Sequence, residues 1–512
     1  MKIYDQYLDD FISVENEQDD LDSVSFIRKY GSEKNIIYFN KPKDIEFFTR
    51  HLIDVLPEIP MNEAFEKAVA SISDAVHSDY YLVEAIKKGV VYHHGSMPEN
   101  IRSFIETLYS KEKEIRYIVT SSTLLEGVNL PATSLFMMAC KKGPKQLSSS
   151  SLKNLFGRIC RFNEVFHEKN GSLEKLLPKV FFVWDRYYDK RTNLESYIKK
   201  HIGVERKLED CVENPLMEKS KDKSGKEDAV DFVENFQNGS IEDYEKKHVE
   251  KPIAKACVLN NITEINLLQC ENELQRKYED FLKKYDRKVD SVASFLDLFV
   301  RVFLPFVADC KENKNLLRLA NDAAQRFYNT FIELQLENKP FSQQILRFVD
   351  YWEKLIREGR ETIVYVGKWG EITKSFWDSL KKVFVEGYEP NWVDIKEKKQ
   401  SEKINLAIVR IKEEQDFIEN SLMKFVEVLK DCDEIEEEFY LKIKYGTTDE
   451  QIICMIKNGI TKSTAKLLHD KYESFITVDL NANNIKINGG LIDVMRQNKE
   501  NEIVIHEMAS FL

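Results

Sequence analysis

The rhythm of apolar and polar positions changes at about residue 200. Before that point, short runs rich in β-branched and aromatic residues alternate with stretches at helical spacing. Residues 35–39 (NIIYF) form the first such run, and residues 44–56 follow as an amphipathic helix. Residues 88–93 (KGVVYH), 115–120 (IRYIVT), 134–139 and 180–184 read as four more strands, and a helix runs from residue 99 to about residue 109. Strands separated by helices predict an α/β lobe over residues 1–205, with a mostly parallel sheet covered on both faces. Ligand-binding loops of such a sheet leave the carboxyl ends of its strands.

Residues 206–252 are polar and charge-dense (EKSKDKSGKED), the pattern of a linker or flexible arm. A mainly α-helical region is expected over residues 253–445, with residues 294–306 and 316–336 as examples of its spacing. Four of the five tryptophans fall between Trp352 and Trp392, which reads as the core of a helical bundle rather than a stacking platform. The last unit, residues 446–512, pairs two predicted helices (449–457 and 462–472) across Asn458-Gly459-Ile460-Thr461 and adds a hairpin of residues 475–480 and 484–487. That order fits a winged-helix-like DNA reader and equally a helical hairpin that only packs.

Composition narrows the class. A chain of 512 residues with 43% hydrophobic and 32% charged residues can bury two or three cores. The longest apolar runs are too short for a bilayer, and the start lacks a signal-peptide pattern, so a cytoplasmic protein with no membrane partner is expected. The eight cysteines form no CxxC pair and no cluster at zinc spacing, so neither metal nor structural disulfide is expected, and Cys140 and Cys160 read as buried thiols. The net charge of −12 decides nothing about nucleic acid, because phosphate binding needs only a local basic groove.

Three segments carry candidate chemistry. His93-His94-Gly95-Ser96-Met97-Pro98-Glu99 ends a strand and opens a helix, with Ser96 as candidate cap, Pro98 in the first turn and Arg102 one turn in. Residues 120–132 (TSSTLLEGVNLPA) run from a strand into a hydroxyl-rich turn able to cradle a phosphate, and Gly127 permits close backbone approach beside the Asn129 amide. Residues 152–161 (LKNLFGRICR) would, if helical, set Arg158 and Arg161 on one face, where paired guanidiniums can hold a polyphosphate or neutralise a γ-phosphate. Each has a plain structural alternative: a capped helix start, a buried strand, a surface arginine pair.

Taken together and in this order, the segments resemble the second lobe of superfamily-2 helicases, in the superkiller-like, DEAD/DEAH-related branch. Residues 35–43 (NIIYFNKPK) look like that family's motif IV, His93-His94-Gly95 like its HHG signature, residues 121–132 like motif V and residues 154–161 like motif VI. The resemblance covers about the first 165 residues and implies a RecA-like fold there. It implies nucleic-acid backbone contacts for His94, Gly95, Arg102, Ser121 and Thr123. It places Gly127, Asn129 and Asn154 at the nucleotide cleft, and Arg158 and Arg161 on the phosphates of ATP, with Mg²⁺ as the companion ion. Asn154 stands where the family often has Gln, and Cys160 where it usually has Gly.

A first motor lobe needs a G-x-x-x-x-G-K-[ST] loop and an acidic Mg²⁺-holding box. Lys462-Ser463 lacks both glycines, and Asp433-Glu434-Ile435-Glu436 follows the second-lobe motifs inside an acidic stretch read as a solvated helix face. With motif IV only about 35 residues from Met1, the expectation is a second lobe whose first lobe comes from another polypeptide, through a split gene, a frameshift or truncation. Such a chain would hydrolyse ATP poorly alone and would bind single-stranded DNA or RNA. The alternative is a non-catalytic nucleic-acid-binding or scaffold protein that retains a relic lobe.

Overall fold

The computed structural model describes residues 2–5, 8–13, 21–121, 130, 132–143, 145–159, 179–202, 249–285, 287–310, 312–337, 339–378, 383–385 and 389–512. They divide into two units. The first gathers Met1–Pro215, Lys399–Val409 and Lys499–Ser510, and the second holds Leu216–Lys398, Arg410–Asn498 and Phe511–Leu512.

The first unit opens with a hairpin, β1 (Lys2–Asp5) against β2 (Asp10–Ser13), and a helix α1 (Ser23–Tyr30) whose N-cap Asp22 accepts from the Ser25 amide. Then come β3 (Asn35–Tyr38), α2 (Pro42–Val55), α3 (Glu63–Ala75), α4 (Tyr81–Lys87), β4 (Val90–His93), α5 (Glu99–Lys111), β5 (Tyr117–Thr120), β6 (Ser134–Met137), the two-residue pair β7 (Lys141–Lys142) and β8 (Lys145–Gln146), α6 (Ser149–Phe156) and β9 (Lys179–Phe182). Strands β4-β5-β3-β6-β9 form one parallel sheet in that order, with Ile36 opposite Ile118 on one side and Leu135 on the other. Every residue of β3, β4, β5 and β6 is buried, as expected of strands covered on both faces. The turn from α4 into β4 needs Gly89, at φ +72°, where a Cβ would lie 2.6 Å from the Glu114 carbonyl.

The parallel sheet expected from the strand–helix alternation is therefore present, with strand ends shifted by one or two residues. Helix α5 starts after Pro98, its N-cap, so Ser96 caps nothing and is instead buried. Helices α1, α3 and α4 were not among the expected elements. Nor does local pattern show that the chain's end returns: helix Glu502–Ala509 belongs to this unit and packs on α3 and α5. Its cap Asn501 donates to the Ser71 carbonyl at 2.9 Å, and Ile503, Ile505 and Met508 are buried.

The second unit is mainly helical. The stretch 294–306 is one continuous rod only in outline: Val292–Leu298 is α-helical, Phe299–Phe303 widens to a π-turn, and Leu304–Phe306 tightens to 3₁₀ ahead of Val307. The stretch 316–336 is broken as well, because Asn321 caps a new helix, Asp322–Leu336, with its side chain. The tryptophan-rich stretch corrects a larger expectation. Trp352 is in a helix, but Trp369 sits in a 3₁₀ turn and Trp392 in a strand, Trp392–Asp394, paired antiparallel with Ile363–Tyr365. A second short pair joins Phe376–Asp378 to Val383–Val385. These aromatic residues stand at strand spacing within a helical context, and the strand preference wins.

Residues 433–436 are another correction. Asp433 turns at φ +58°, Ile435 bridges to Val289, and the helix begins only at Glu437. The C-terminal pattern holds its predicted order: helices Glu450–Lys457 and Lys462–Lys471, a turn with Gly459 at φ +96°, then the antiparallel pair Ile476–Asp479 and Asn484–Ile487. No helix among the described residues is long and apolar enough to cross a membrane.

Candidate functional site at the carboxyl ends of β4 and β5

His93 is the last residue of β4, and Thr120 the last of β5, so the parallel register sets them side by side. The Thr120 hydroxyl lies 3.2 Å from His93 Nε2. Glu106 of α5 also brings Oε1 to 3.3 Å from the same nitrogen. Burial pushes His93 down to about 3 and pushes the Glu106 carboxyl up to about 7, against the opposing pull of Arg102 and Arg158. The contact is therefore a hydrogen-bonded pair built on a neutral imidazole rather than a salt bridge.

The charge of Arg158, in the segment that resembles motif VI, acts on Glu106 of this cluster. Helix α6 stops at Phe156 with Gly157 as its cap, so Arg158 lies just beyond the helix and not on its face. Its amide donates to the Leu155 carbonyl at 3.2 Å, and the next residue, Ile159, bridges in parallel to Ala132. That bridge ties the end of motif VI to the segment that follows β5. Arg158 is 7% exposed, and its charge acts on Glu106. The helical face expected to hold two arginines is thus corrected for Arg158, while Arg161 and Cys160 lie outside the described residues.

The remaining candidates divide. His94 is fully buried, with Nε2 3.2 Å from Glu46 Oε1 and its ring stacked on Tyr92 at 6.0 Å. Gly95 is exposed, and Ser121 is buried directly after β5. Arg102 is partly exposed, with Nη2 3.4 Å from Glu99 Oε1, and acts on both His93 and Glu106. Asn154 is exposed on α6. Thr123, Gly127 and Asn129 lie outside the described residues. His93, Ser121 and Arg102 are thus gathered at one end of the sheet, with the charge of Arg158 acting on Glu106, while His94 turns into the lobe towards α2. Glu46 and Glu106 were not among the expected site residues. A signal existed for Glu106, which stands four residues after Arg102 on a helix whose neighbours Ile105, Leu108 and Tyr109 are buried.

No family model matches the chain. Individual proteins do. Over 101 residues, 20% of this chain and 6% of the other, it is 35% identical to DNA polymerase theta of Caenorhabditis elegans. It is 29% identical to the ATP-dependent DNA helicase Hel308 of Thermoplasma volcanium over 130 residues, 25% of this chain and 18% of that one. It is 24% identical to Anti-bacteriophage protein B of Escherichia coli over 144 residues, 28% of this chain and 19% of that one. The chain spans only these small fractions of the curated relatives it matches, and within that span it is related in sequence to helicases.

Proposed function

We propose that this chain provides the second RecA-like lobe of an ATP-dependent nucleic-acid helicase or translocase, joined to a helical accessory region. The first lobe, with the phosphate-cradling loop and the acidic Mg²⁺ box, comes from elsewhere. The observation that carries the reading is the meeting of Arg102, His93 and Ser121 at the carboxyl ends of β4 and β5, with the charge of Arg158 acting on Glu106 of the same cluster. Motifs far apart in the chain converge on the edge where open α/β sheets bind ligands. The similarity to helicases supports the same reading.

In this mechanism Ser121, Thr123 and Arg102 hold the backbone of a single strand, largely without regard to base, and His94 and Gly95 shape that edge. Gly127, Asn129 and Asn154 line the nucleotide side. Arg158 and Arg161 would face the γ-phosphate of an ATP held with Mg²⁺ by the first lobe and would neutralise the charge that develops there.

A second reading has its own support. Arg158 is buried and its charge acts on Glu106 of the same lobe, which suits a relic lobe in a binding or scaffold protein whose winged-helix-like end does the work. One experiment separates the two. The chain is mixed with a protein that carries only a first lobe, and ATP hydrolysis is followed with and without single-stranded DNA or RNA. The motor reading expects stimulated hydrolysis that Arg158→Ala abolishes. A folded but inactive mixture, or activity indifferent to Arg158→Ala, refutes it.

A further inference from the structure

The order of the parallel sheet reverses at β3. From there the chain first builds β4 and β5 on one side and then crosses to β6 and β9 on the other. The crevice of such a reversal lies between the carboxyl ends of β3 and β6. A pocket of about 580 Å³ opens at that place, walled by the residues that follow β3, β6 and β9. It is not the His93–Glu106 cluster, which sits at the ends of β4 and β5.

Its chemistry is uneven in a useful way. Lys41, Lys43, Lys141 and Arg186 face it against two carboxylates, Asp44 and Asp189, in a chain whose net charge is −12. Lys141 is paired with Asp189 at 2.5 Å. Burial raises Asp44 while Lys41, Arg186 and Lys43 oppose that rise, so three cations act on the acid beside them. The Arg186 guanidinium lies 4.4 Å from the centre of the Phe47 ring, an aromatic wall of the same pocket. Tyr188, also lining it, carries Trp184 flat against its ring, centroids 5.4 Å apart at 10°. Trp184 itself is 53% exposed, unusual for an indole just past a β-strand of a folded lobe.

We propose that this pocket holds the phosphate of one nucleotide unit among Lys41, Lys43 and Arg186, with the base outside it on the exposed indole of Trp184, which packs on Tyr188 of the pocket wall. Cations with a planar aromatic surface are the two parts that bind a nucleotide without reading its sequence. The pocket is of the size that takes such a ligand. This rests on the nucleic-acid reading above and adds a second point of grip to it, on the opposite side of β3 from the His93–Glu106 cluster. The unit can come from a strand or from a free nucleotide, and the test separates these sources.

The whole chain is titrated by fluorescence anisotropy with a short labelled oligothymidylate and with an abasic strand of equal length, and unlabelled thymidine monophosphate is added as competitor. Trp184→Ala should weaken the oligothymidylate about 5- to 20-fold and leave the abasic strand within about twofold, while Trp184→Phe restores most of the loss. Lys41→Ala, Lys43→Ala and Arg186→Ala combined should flatten the dependence of log affinity on log salt by about 0.7, the value for the one phosphate no longer neutralised. Competition by the monophosphate that Trp184→Ala removes identifies a free nucleotide as occupant, and its absence identifies a strand. Strand binding that no pocket variant alters overturns the pocket and leaves the nucleic-acid reading standing. A parent chain that binds neither strand nor monophosphate overturns both. Thermal melts of each variant confirm that lost binding is not lost folding.

Discussion

His93 Nε2 lies 3.3 Å from Glu106 Oε1, a neutral imidazole against a carboxyl that ionises only near neutrality. The two groups pull stability in opposite directions with pH. Folded Glu106 titrates at about 7, against 4.5 for an ordinary glutamate, so the folded chain binds more protons between those limits and loses stability as pH rises through them. His93 falls to about 3 from 6.5, so the folded chain binds fewer protons and loses stability as pH drops below about 6.5. Glu106→Gln removes the first effect alone. It should stabilise the protein by about 1–3 kcal/mol above neutrality, and the gain should vanish by about pH 4. Denaturant melts at both pH values check this, and an equal gain at both would show that Glu106 is not the titrating group.

Arg158→Met takes away one of the two cations that favour ionised Glu106. The carboxyl should then titrate higher still. Glu106 can take up a proton once that cation is gone, so a loss of only about 1–3 kcal/mol is expected. Carbon NMR of the Glu106 carboxyl through a pH series reads the shift directly. An unmoved titration would mean that Arg158 does not neighbour Glu106 in solution.

The C-terminal helix should be structural for the lobe although it lies far along the chain from α5. The Ser103 hydroxyl lies 3.0 Å from His506 Nε2, a partner 403 residues away in sequence. Truncation after residue 498 uncovers the surface that Ile503, Ile505 and Met508 bury, at roughly 1.5–3 kcal/mol for each side chain. Asn501→Ala loses a helix cap and the bond to Ser71, about 1–2 kcal/mol. Hydrogen exchange should show α3 and α5 opening in the truncated chain. Unchanged protection there would contradict the docking.

In the helical unit, Glu414 is the counterion of the half-buried Arg318, at 3.0 Å, and of the buried Arg410, and it accepts from the Tyr328 hydroxyl. Burial, with Arg318 beside it, lowers Arg410 to about 9. Glu414→Ala would strand both guanidiniums, and a loss of about 3–5 kcal/mol is expected, whereas replacing Arg318, Glu414 and Arg410 together by apolar residues of like size should cost far less. If the single and triple variants melt alike, the cluster is not held by charge.

Sequence alone determined the parallel sheet, because apolar runs at 35–39, 115–120 and 134–139 are too short and too β-branched for helices and are separated by helical spacing. It also marked the convergent arginine and histidine motifs and the order of the C-terminal helices and hairpin. Tertiary structure decided the rest. Only the register of β4 on β5 could pair His93 with Thr120, and only burial could hold that imidazole neutral and keep Glu106 from ionising at ordinary carboxylate pH. The strands around Trp392, the break of the helix before Arg158 and the return of Glu502–Ala509 to the lobe depend on partners distant in the chain. Local pattern records which face of an element is apolar. It does not record what that face will meet, and the meeting sets both the burial and the chemistry.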